Sequence, residues 1–225
     1  MSALVLACGN AADTARTPTL TERDGIAWRP VPATPGRADL DALLKATGGE
    51  RVVVLGTDAD LAAVVLRVMR LDRLATTPIG YVPVDPRASA VPALWGLPRD
   101  HAALVEVALS GEIDPFPLIR DDSGGVLVGQ AAIDQPQGVA YCDDTTALRG
   151  RAKRIEATPD PTGGPGLLVR VTTGLFGKKV ATHACRAFQI GCVRTLLTHD
   201  GVPKDVAKWT WYRHTEDLRV ARGVV

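Results

Sequence analysis

The feature that most constrains the fold is a β-branched run followed closely by a helical pattern. The run is RVVVLG (51–56), and the helical pattern is LAAVVLRVMRLDRL (61–74). A continuous apolar strand of this kind is typical of a parallel sheet covered on both faces. The turn between them is Gly56-Thr57-Asp58-Ala59-Asp60, at a place where nucleotide-binding α/β proteins hold a phosphate on glycine-rich backbone. This turn has one glycine and two carboxylates.

Strands and helices alternate through the first half of the chain. Other short strands are predicted at 3–8, 25–33 and 78–84, and other helices at 38–47 and 101–111. Alternation with short connections predicts a doubly wound α/β domain over residues 1–112.

After about residue 112 the sequence changes to short β-rich segments separated by Gly, Pro or Asp-Gly turns. GVAYC, GLLVRVTT and KWTWYRH are examples. Such segments predict an antiparallel sandwich or barrel-like domain over residues 113–225.

The overall charge and the N-terminus limit the classes of function. The net charge of +1 excludes the global basic excess of a protein that envelops nucleic acid. The first apolar run is too short for a signal peptide or a membrane span, so we expect a cytoplasmic protein. The four cysteines show no metal-ligand spacing, and we expect them to be small buried hydrophobic residues: Cys8, Cys142, Cys185 and Cys192.

Several segments, taken in order, point to one family. They are the strand–turn–helix at 52–65, IGYVPVDPRASAVPALWGLP (79–98), ALSGEIDPFPL (108–118), CRAFQIGC (185–192), LLTHDGV (196–202) and WTWYRHTEDL (209–218). Together they resemble the diacylglycerol kinase family of lipid kinases, which shares its fold with NAD kinases. The resemblance implies an NAD kinase-like, doubly wound α/β domain followed by an antiparallel β-sandwich domain. That second domain is shortened, because the chain leaves little room for the family's lipid-covering insertion.

The family's first motif, G-G-D-G-T, falls on residues 56–60. The resemblance implies that Gly56, Thr57 and Asp58 bind the phosphates of ATP and that Asp58 holds Mg²⁺. Ala59 and Asp60 replace glycine and threonine. An alanine forced to positive φ would be strained by about 1–2 kcal/mol. A carboxylate about 4 Å from a phosphate charge would repel it by roughly 1 kcal/mol in water and about 4 kcal/mol at a surface-like dielectric.

The second motif, P-x-G-T-G-N-D, is mostly lost. Only Pro83 matches, Pro86 offers no N–H, and Ala88-Ser89 replaces Asn-Asp. Arg87 stands where the family has glycine, and two interpretations stay open for it. It is a phosphate clamp or, as is more usual for an arginine in a polar turn, a solvated side chain.

The third motif is half kept. Asp200-Gly201 matches the start of the family's D-G-E, in which the aspartate is taken as the base for the lipid hydroxyl, and Val202 replaces the glutamate. Asp-Gly is also among the commonest hairpin turns, which need no catalytic role. Both interpretations of Asp200 stay open.

Two functions follow from these motifs. In the favoured one, the chain has lost or weakened lipid phosphorylation and is a non-catalytic binding or regulatory protein that needs no cofactor. In the alternative, it is an active lipid kinase that uses ATP and Mg²⁺, with Asp58 at the metal, Arg87 as phosphate clamp and Asp200 as base.

A basic segment, RGRAKR, bears on partners. Its cations are Arg149, Arg151, Lys153 and Arg154. They suit anionic lipid headgroups, at about 1 kcal/mol per charge near a membrane surface, and so peripheral membrane contact. A solvated loop is the alternative, and the overall charge disfavours nucleic acid. A homodimer is a further expectation, and the sequence does not identify a protein partner.

Overall fold

A computed structural model of the chain describes residues 2–11, 24–174 and 179–223. Contacts divide the chain into two compact units, Met1–Phe116 with Glu216–Val225 and Pro117–Thr215. The sequence placed the whole of 113–225 in the second domain, whereas the C-terminal strand pairs within the first unit. None of the described helices is long and apolar enough to cross a membrane.

The first unit contains a six-stranded sheet and four described helices. The strands are β1 (Ala3–Cys8), β2 (Ile26–Val31), β3 (Arg51–Gly56), β4 (Ile79–Pro83), β5 (Ile113–Phe116) and β16 (Leu218–Ala221). The helices are α1 (Arg37–Ala46), α2 (Asp58–Arg70), α3 (Val91–Trp95) and α4 (His101–Ser110). The strand order is β2-β1-β3-β4-β16-β5, with every pair parallel except β16 and β5.

Helix α4 packs closely against β4 of this sheet, and an arginine of β3 is hydrogen-bonded to its C-terminal end. A Cβ at Gly80 of β4 would lie 2.2 Å from the carbonyl oxygen of Ala108, so only glycine lets the helix approach this closely. At the end of α4, the Arg51 guanidinium donates to the carbonyl oxygens of Val107 at 3.3 Å, Ala108 at 3.2 Å and Gly111 at 2.7 Å. These bonds tie the C-terminal end of α4 to the first residue of β3.

The predicted α/β half is confirmed, with one shift that concerns the site. The sequence pattern placed a helix at 61–74, but α2 begins at Asp58 and ends at Arg70. It starts earlier because Thr57 caps it, and it ends earlier because Asp72 has a left-handed backbone with φ of 57°. The helix therefore begins inside the turn at 56–60.

The second unit is an antiparallel sheet, as the sequence predicted. Its ten described strands are β6 (Ile119–Asp121), β7 (Val126–Leu127), β8 (Ala131–Asp134), β9 (Gln137–Cys142), β10 (Thr145–Arg151), β11 (Arg154–Pro159), β12 (Leu167–Thr173), β13 (Lys179–Cys185), β14 (Ala187–His199) and β15 (Val202–Arg213). The order is β13-β12-β11-β8-β14-β15-β6-β7, and β9 joins β14 to β10. All of these pairs are antiparallel.

The core of the second unit combines aliphatic residues with a few aromatic ones. Phe188 and Trp211 are fully buried, and their ring centroids are 5.4 Å apart. Cys142 and Cys185 lie in the same core, as the sequence predicted for small hydrophobic residues. The longest strands, β14 and β15, form a hairpin that carries the third candidate motif at its tip.

Candidate functional site

The turn after β3 is a helix N-terminus with a reciprocal cap. Thr57 is the cap residue of α2, and its hydroxyl oxygen accepts the Asp60 N–H at 3.2 Å. In return, Asp60 Oδ2 accepts the Thr57 N–H at 2.8 Å and the Thr57 hydroxyl at 2.8 Å. This is the capping-box arrangement, with aspartate in the place of the usual glutamate. Ala59 lies in the first turn of α2, so the strain expected of an alanine at positive φ does not arise.

The Asp60 carboxylate is buried, and its second oxygen accepts a hydrogen bond from outside the turn. Only 3% of the residue is exposed, and its Oδ1 accepts the backbone N–H of Thr34 at 2.6 Å. Asp60 also explains the glycine of the turn. A Cβ at Gly56 would lie 2.7 Å from Asp60 Oδ2 and 2.9 Å from Asp60 Cβ. The position of the Asp60 side chain therefore explains why residue 56 is glycine, and no bound ligand is needed to explain it.

Asp58 joins the first candidate motif to the second. Its Oδ1 accepts the Tyr81 hydroxyl at 2.9 Å and the Ser89 hydroxyl, and its Oδ2 accepts the Ala90 N–H at 2.8 Å. Burial, and then the neighbouring Asp58 charge, raise the pKa of Tyr81. Tyr81 therefore stays protonated and donates to Asp58, and the carboxylate is engaged on both oxygens.

Arg87 is exposed in the loop between β4 and α3. Its backbone N–H donates to Asp85 Oδ1 at 2.9 Å, which is an Asx turn. Its side chain lines an open pocket of about 860 Å³ together with Ser89, Pro92, Leu97 and Arg99 among others. A much smaller space of about 50 Å³ adjoins the turn itself, lined by Gly56, Thr57, Asp58, Tyr81, Val84, Asp85, Ala88 and Ser89. The predicted cofactor residues of the first unit thus lie around neighbouring spaces that differ greatly in size.

Asp200 lies in the second unit, at the first position of the two-residue β14–β15 turn. Its φ is 47°, the φ of Gly201 is 82°, and His199 pairs with Val202, as in a type I′ hairpin. The Asp200 side chain is buried, and it accepts the Gly129 N–H at 2.8 Å and the Val128 N–H at 3.1 Å. The carboxylate therefore ties the hairpin tip to the segment before β8.

The sequence reasoning missed the histidine beside Asp200. His199 is 5% exposed, and its Nε2 lies 3.5 Å from Asp121 Oδ2 and its Nδ1 3.8 Å from Asp200 Oδ2. Both distances are long for hydrogen bonds, and the Asp121 charge acts to raise the pKa of the ring, against the larger effect of burial. Burial, and then the charge of Lys204, lower the pKa of His199 to about 4. The ring is neutral at pH 7. The sequence signal for its burial is the alternation at the end of β14, where His199 follows the buried Leu197 by two residues.

The four cations of the basic segment have different surroundings. Arg154 is half-buried and forms ion pairs with Asp134 and, at 3.4 Å, with Glu156. Arg149, Arg151 and Lys153 are exposed. Within the part of the chain that the structure describes, no group of three or more His, Cys, Asp or Glu side chains is placed to hold a metal ion.

Comparison with solved structures identifies the fold. A diacylglycerol kinase from Bacillus anthracis str. Sterne superposes with a TM-score of 0.71 at 10% identity, over 99% of this chain and 97% of that one. The chain has the diacylglycerol kinase fold. An NAD kinase from Archaeoglobus fulgidus, solved in complex with ATP, superposes with a TM-score of 0.63 at 13% identity, over 100% of this chain and 94% of that one. The sequence matches no protein-family model and no curated protein.

The match over nearly the full length of the diacylglycerol kinase confirms the fold that the motifs implied. At this low identity the comparison concerns the fold and not the activity. The side chains that bear on function are those of the turn at 56–60 and of the hairpin tip.

Proposed function

We propose that the chain is a non-catalytic binding or regulatory protein on the diacylglycerol kinase fold, whose turn at 56–60 does not receive the phosphates of ATP. One observation carries the proposal: Asp60 Oδ2 accepts the Thr57 N–H at 2.8 Å inside the turn. A helix N-terminus attracts an anion through its unpaired N–H groups and its dipole. Here the Asp60 carboxylate, in the first turn of α2, already places a negative charge at this terminus and holds the N–H of the cap residue.

Displacing the carboxylate is costly. An incoming phosphate would have to take the Thr57 N–H from Asp60, which is 3% exposed and also accepts the Thr34 N–H at 2.6 Å. The displaced carboxylate would be left buried without these donors and next to a second anion. Both effects act against ATP binding at this turn.

The space beside the turn supports the same conclusion. It has a volume of about 50 Å³, whereas pockets for ligands of nucleotide size are roughly 300–1,000 Å³. A space of that size holds only a few water molecules. Val84, Asp85 and Ala88 are among the residues that line it.

Asp58 fits a magnesium role poorly. Mg²⁺ requires near-octahedral oxygen coordination, usually from one or two carboxylates together with water and substrate phosphates. The Asp58 oxygens already accept hydrogen bonds from Tyr81, Ser89 and the Ala90 N–H. This set of bonds suits a residue that joins two segments of the first unit rather than a metal ligand.

A thermal-shift titration tests the proposal. With ATP and Mg²⁺ at millimolar concentration, we expect no change in the Tm of the full chain. A ligand at one hundred times its Kd adds about 2.7 kcal/mol of stability, which would raise the Tm clearly. A saturating rise with ATP and Mg²⁺ that is absent with Mg²⁺ alone would contradict the proposal.

The alternative function, an active lipid kinase, is favoured by one observation. Arg87 and Arg99 both line the open pocket of about 860 Å³, which is large enough for a nucleotide. The archaeal NAD kinase of this fold was solved with ATP. In this alternative, ATP lies in that pocket with Arg87 on a phosphate, and Asp200 is the base.

Release of ADP in the presence of a diacylglycerol tests the alternative. An active kinase would release ADP only with lipid present, and both Asp200→Ala and Arg87→Gln would abolish the release. Asp200 is buried, so Asp200→Ala could abolish activity by destabilising the fold. Arg87 is exposed, and Arg87→Gln should therefore test activity without affecting the fold. Asp205→Ala, an exposed carboxylate on β15, is the matched control and should have no effect.

A further inference from the structure

A second open pocket, in the second unit, is distinct from the spaces around the turn. Its volume is about 780 Å³, and it lies where β9 and β10 pair. The described residues that line it are Gln135, Gln137, Arg151, Ala152, Lys153 and Gly174. This set contains two cations, two amides and no carboxylate, so the described wall of the pocket is positively charged.

The backbone around the pocket is fixed by hydrogen bonds. The Gln135 N–H donates to the Lys153 carbonyl at 3.0 Å, and the Ala152 N–H donates to the Pro136 carbonyl at 3.0 Å. The Lys153 N–H donates to the Thr172 carbonyl at 2.7 Å. Gln135 also has a left-handed backbone, with φ of 47°, which is uncommon for a residue other than glycine. Arg151 and Lys153 therefore lie on a segment whose backbone is fixed by hydrogen bonds to neighbouring strands.

The side chains present donors to the pocket. The Arg151 Nε donates to Gln137 Oε1 at 2.9 Å. Because the amide oxygen accepts this bond, the Gln137 NH₂ group remains as a donor. The terminal nitrogens of Arg151 have the fork geometry that matches two oxygens of a phosphate.

Arg151 and Lys153 differ from their neighbour Arg154 in their ion pairing. Among the described residues, neither Arg151 nor Lys153 forms an ion pair, whereas Arg154 is paired with Asp134 and Glu156. A ligand with two negative charges would balance the two unpaired cations of the wall. A phosphate monoester is close to doubly charged at neutral pH.

We propose that this pocket binds a phosphate monoester group through Arg151, Lys153 and Gln137. The group belongs either to the headgroup of an anionic phospholipid or to a soluble phosphate compound, since the recognising chemistry is the same. The proposal does not depend on the turn at 56–60, because the pocket is built from residues of the second unit alone.

Titration of the full chain with inorganic phosphate, followed by ¹⁵N chemical shifts at constant ionic strength, tests the site. We expect saturable shifts at residues 135–137 and 151–153. In Arg151→Gln/Lys153→Gln we expect the Kd to rise at least about tenfold, since charge-assisted bonds are lost. Lys45→Gln, an exposed cation in α1 of the first unit, is the matched control and should change the Kd by less than about twofold.

Cosedimentation with vesicles distinguishes the two sources. Phosphatidylcholine vesicles carry either phosphatidic acid, a monoester, or phosphatidylglycerol, a diester, at equal surface charge. Selective binding to phosphatidic acid that the double variant loses supports a lipid headgroup, and binding of free phosphate alone supports a soluble ligand. Equal binding to both vesicles, or phosphate binding unaffected by the double variant, would overturn the proposal. So would the absence of binding in both assays.

Discussion

The carboxylate of Asp60 is bonded to the backbone of Thr57: Asp60 Oδ2 accepts the Thr57 N–H at 2.8 Å. The Asp60 N–H in turn donates to the Thr57 hydroxyl oxygen at 3.2 Å. This pair turns a position suited to a bound phosphate into a closed helix cap. It accounts for the burial of Asp60, for the glycine at 56 and for the early start of α2.

Removing the Asp60 carboxylate should destabilise the protein. Asp60→Ala leaves the N–H groups of Thr57 and Thr34 without their acceptor, and we expect a loss of about 2–3 kcal/mol in unfolding free energy. Asp39→Ala is the matched control, because Asp39 accepts the Gly36 N–H at 2.8 Å at the more exposed start of α1. We expect it to lose about 0.5 kcal/mol. Urea unfolding measures both, and equal losses would show that the buried contacts of Asp60 add nothing.

The glycine at 56 should depend on the aspartate at 60. In Gly56→Ala the new Cβ would meet Asp60 Oδ2 at 2.7 Å and Asp60 Cβ at 2.9 Å, and we expect a loss of roughly 1–3 kcal/mol. Asp60→Gly removes both contacts. A double-mutant cycle of these two changes should give a combined loss smaller than the sum, by at least about 0.5 kcal/mol. Strict additivity would mean that Gly56 is required for another reason.

Removing the Asp200 carboxylate should lower the free energy of unfolding. Asp200→Ala leaves the buried N–H groups of Val128 and Gly129 without partners, and we expect a loss of about 2–3 kcal/mol. Asp205→Ala is the control, since Asp205 pairs with Arg194 at 3.3 Å with both side chains more than half exposed. We expect this change to cost less than about 1 kcal/mol. Chemical denaturation decides the matter, and a fully stable Asp200→Ala protein would refute a structural role for the carboxylate.

The buried His199 should make stability depend on pH. Its folded-state pKa is lowered to about 4, below the usual value of about 6.5 in an unfolded chain. Between these values the unfolded state binds more protons, so stability is complete above about pH 6.5 and falls toward pH 4, by up to about 1.4 kcal/mol per pH unit. Unfolding midpoints across this range should show the slope. His199→Gln should flatten it, whereas His101→Gln, an exposed histidine, should leave it unchanged.

Much of the fold could be predicted from the sequence because its signals are local. The continuous apolar run at 51–56 and the apolar spacing of α1 and α4 gave the α/β half, and the short segments with Asp-Gly turns gave the β half. The assignment of β16 could not be predicted in this way. Its pairing with β5 joins Leu218 to Phe116 across about one hundred residues, and no local pattern encodes such a contact.

The sequence located the candidate turn but not the surroundings of its side chains. Gly56, Thr57 and Asp58 line the small space at the end of β3, and the ligand roles that the motif implied for them stay predictions. The sequence interpretation treated Asp60 as a charge that repels phosphate and did not predict that it is buried and caps α2. The T-x-x-D spacing of Thr57 and Asp60 resembles a capping box and is a local signal for this. The bond to Thr34 is long-range and could not be found from the sequence alone.

The most direct measurement of the central claim is the ¹⁵N chemical shift of the Thr57 amide during a titration with ATP and Mg²⁺. Because Asp60 already holds this N–H at 2.8 Å, we expect its resonance to stay in place up to millimolar ATP. A saturable shift of the Thr57 amide with ATP and Mg²⁺, absent with Mg²⁺ alone, would mean that the phosphate takes the position of the Asp60 carboxylate. That result would contradict a non-catalytic role for this turn.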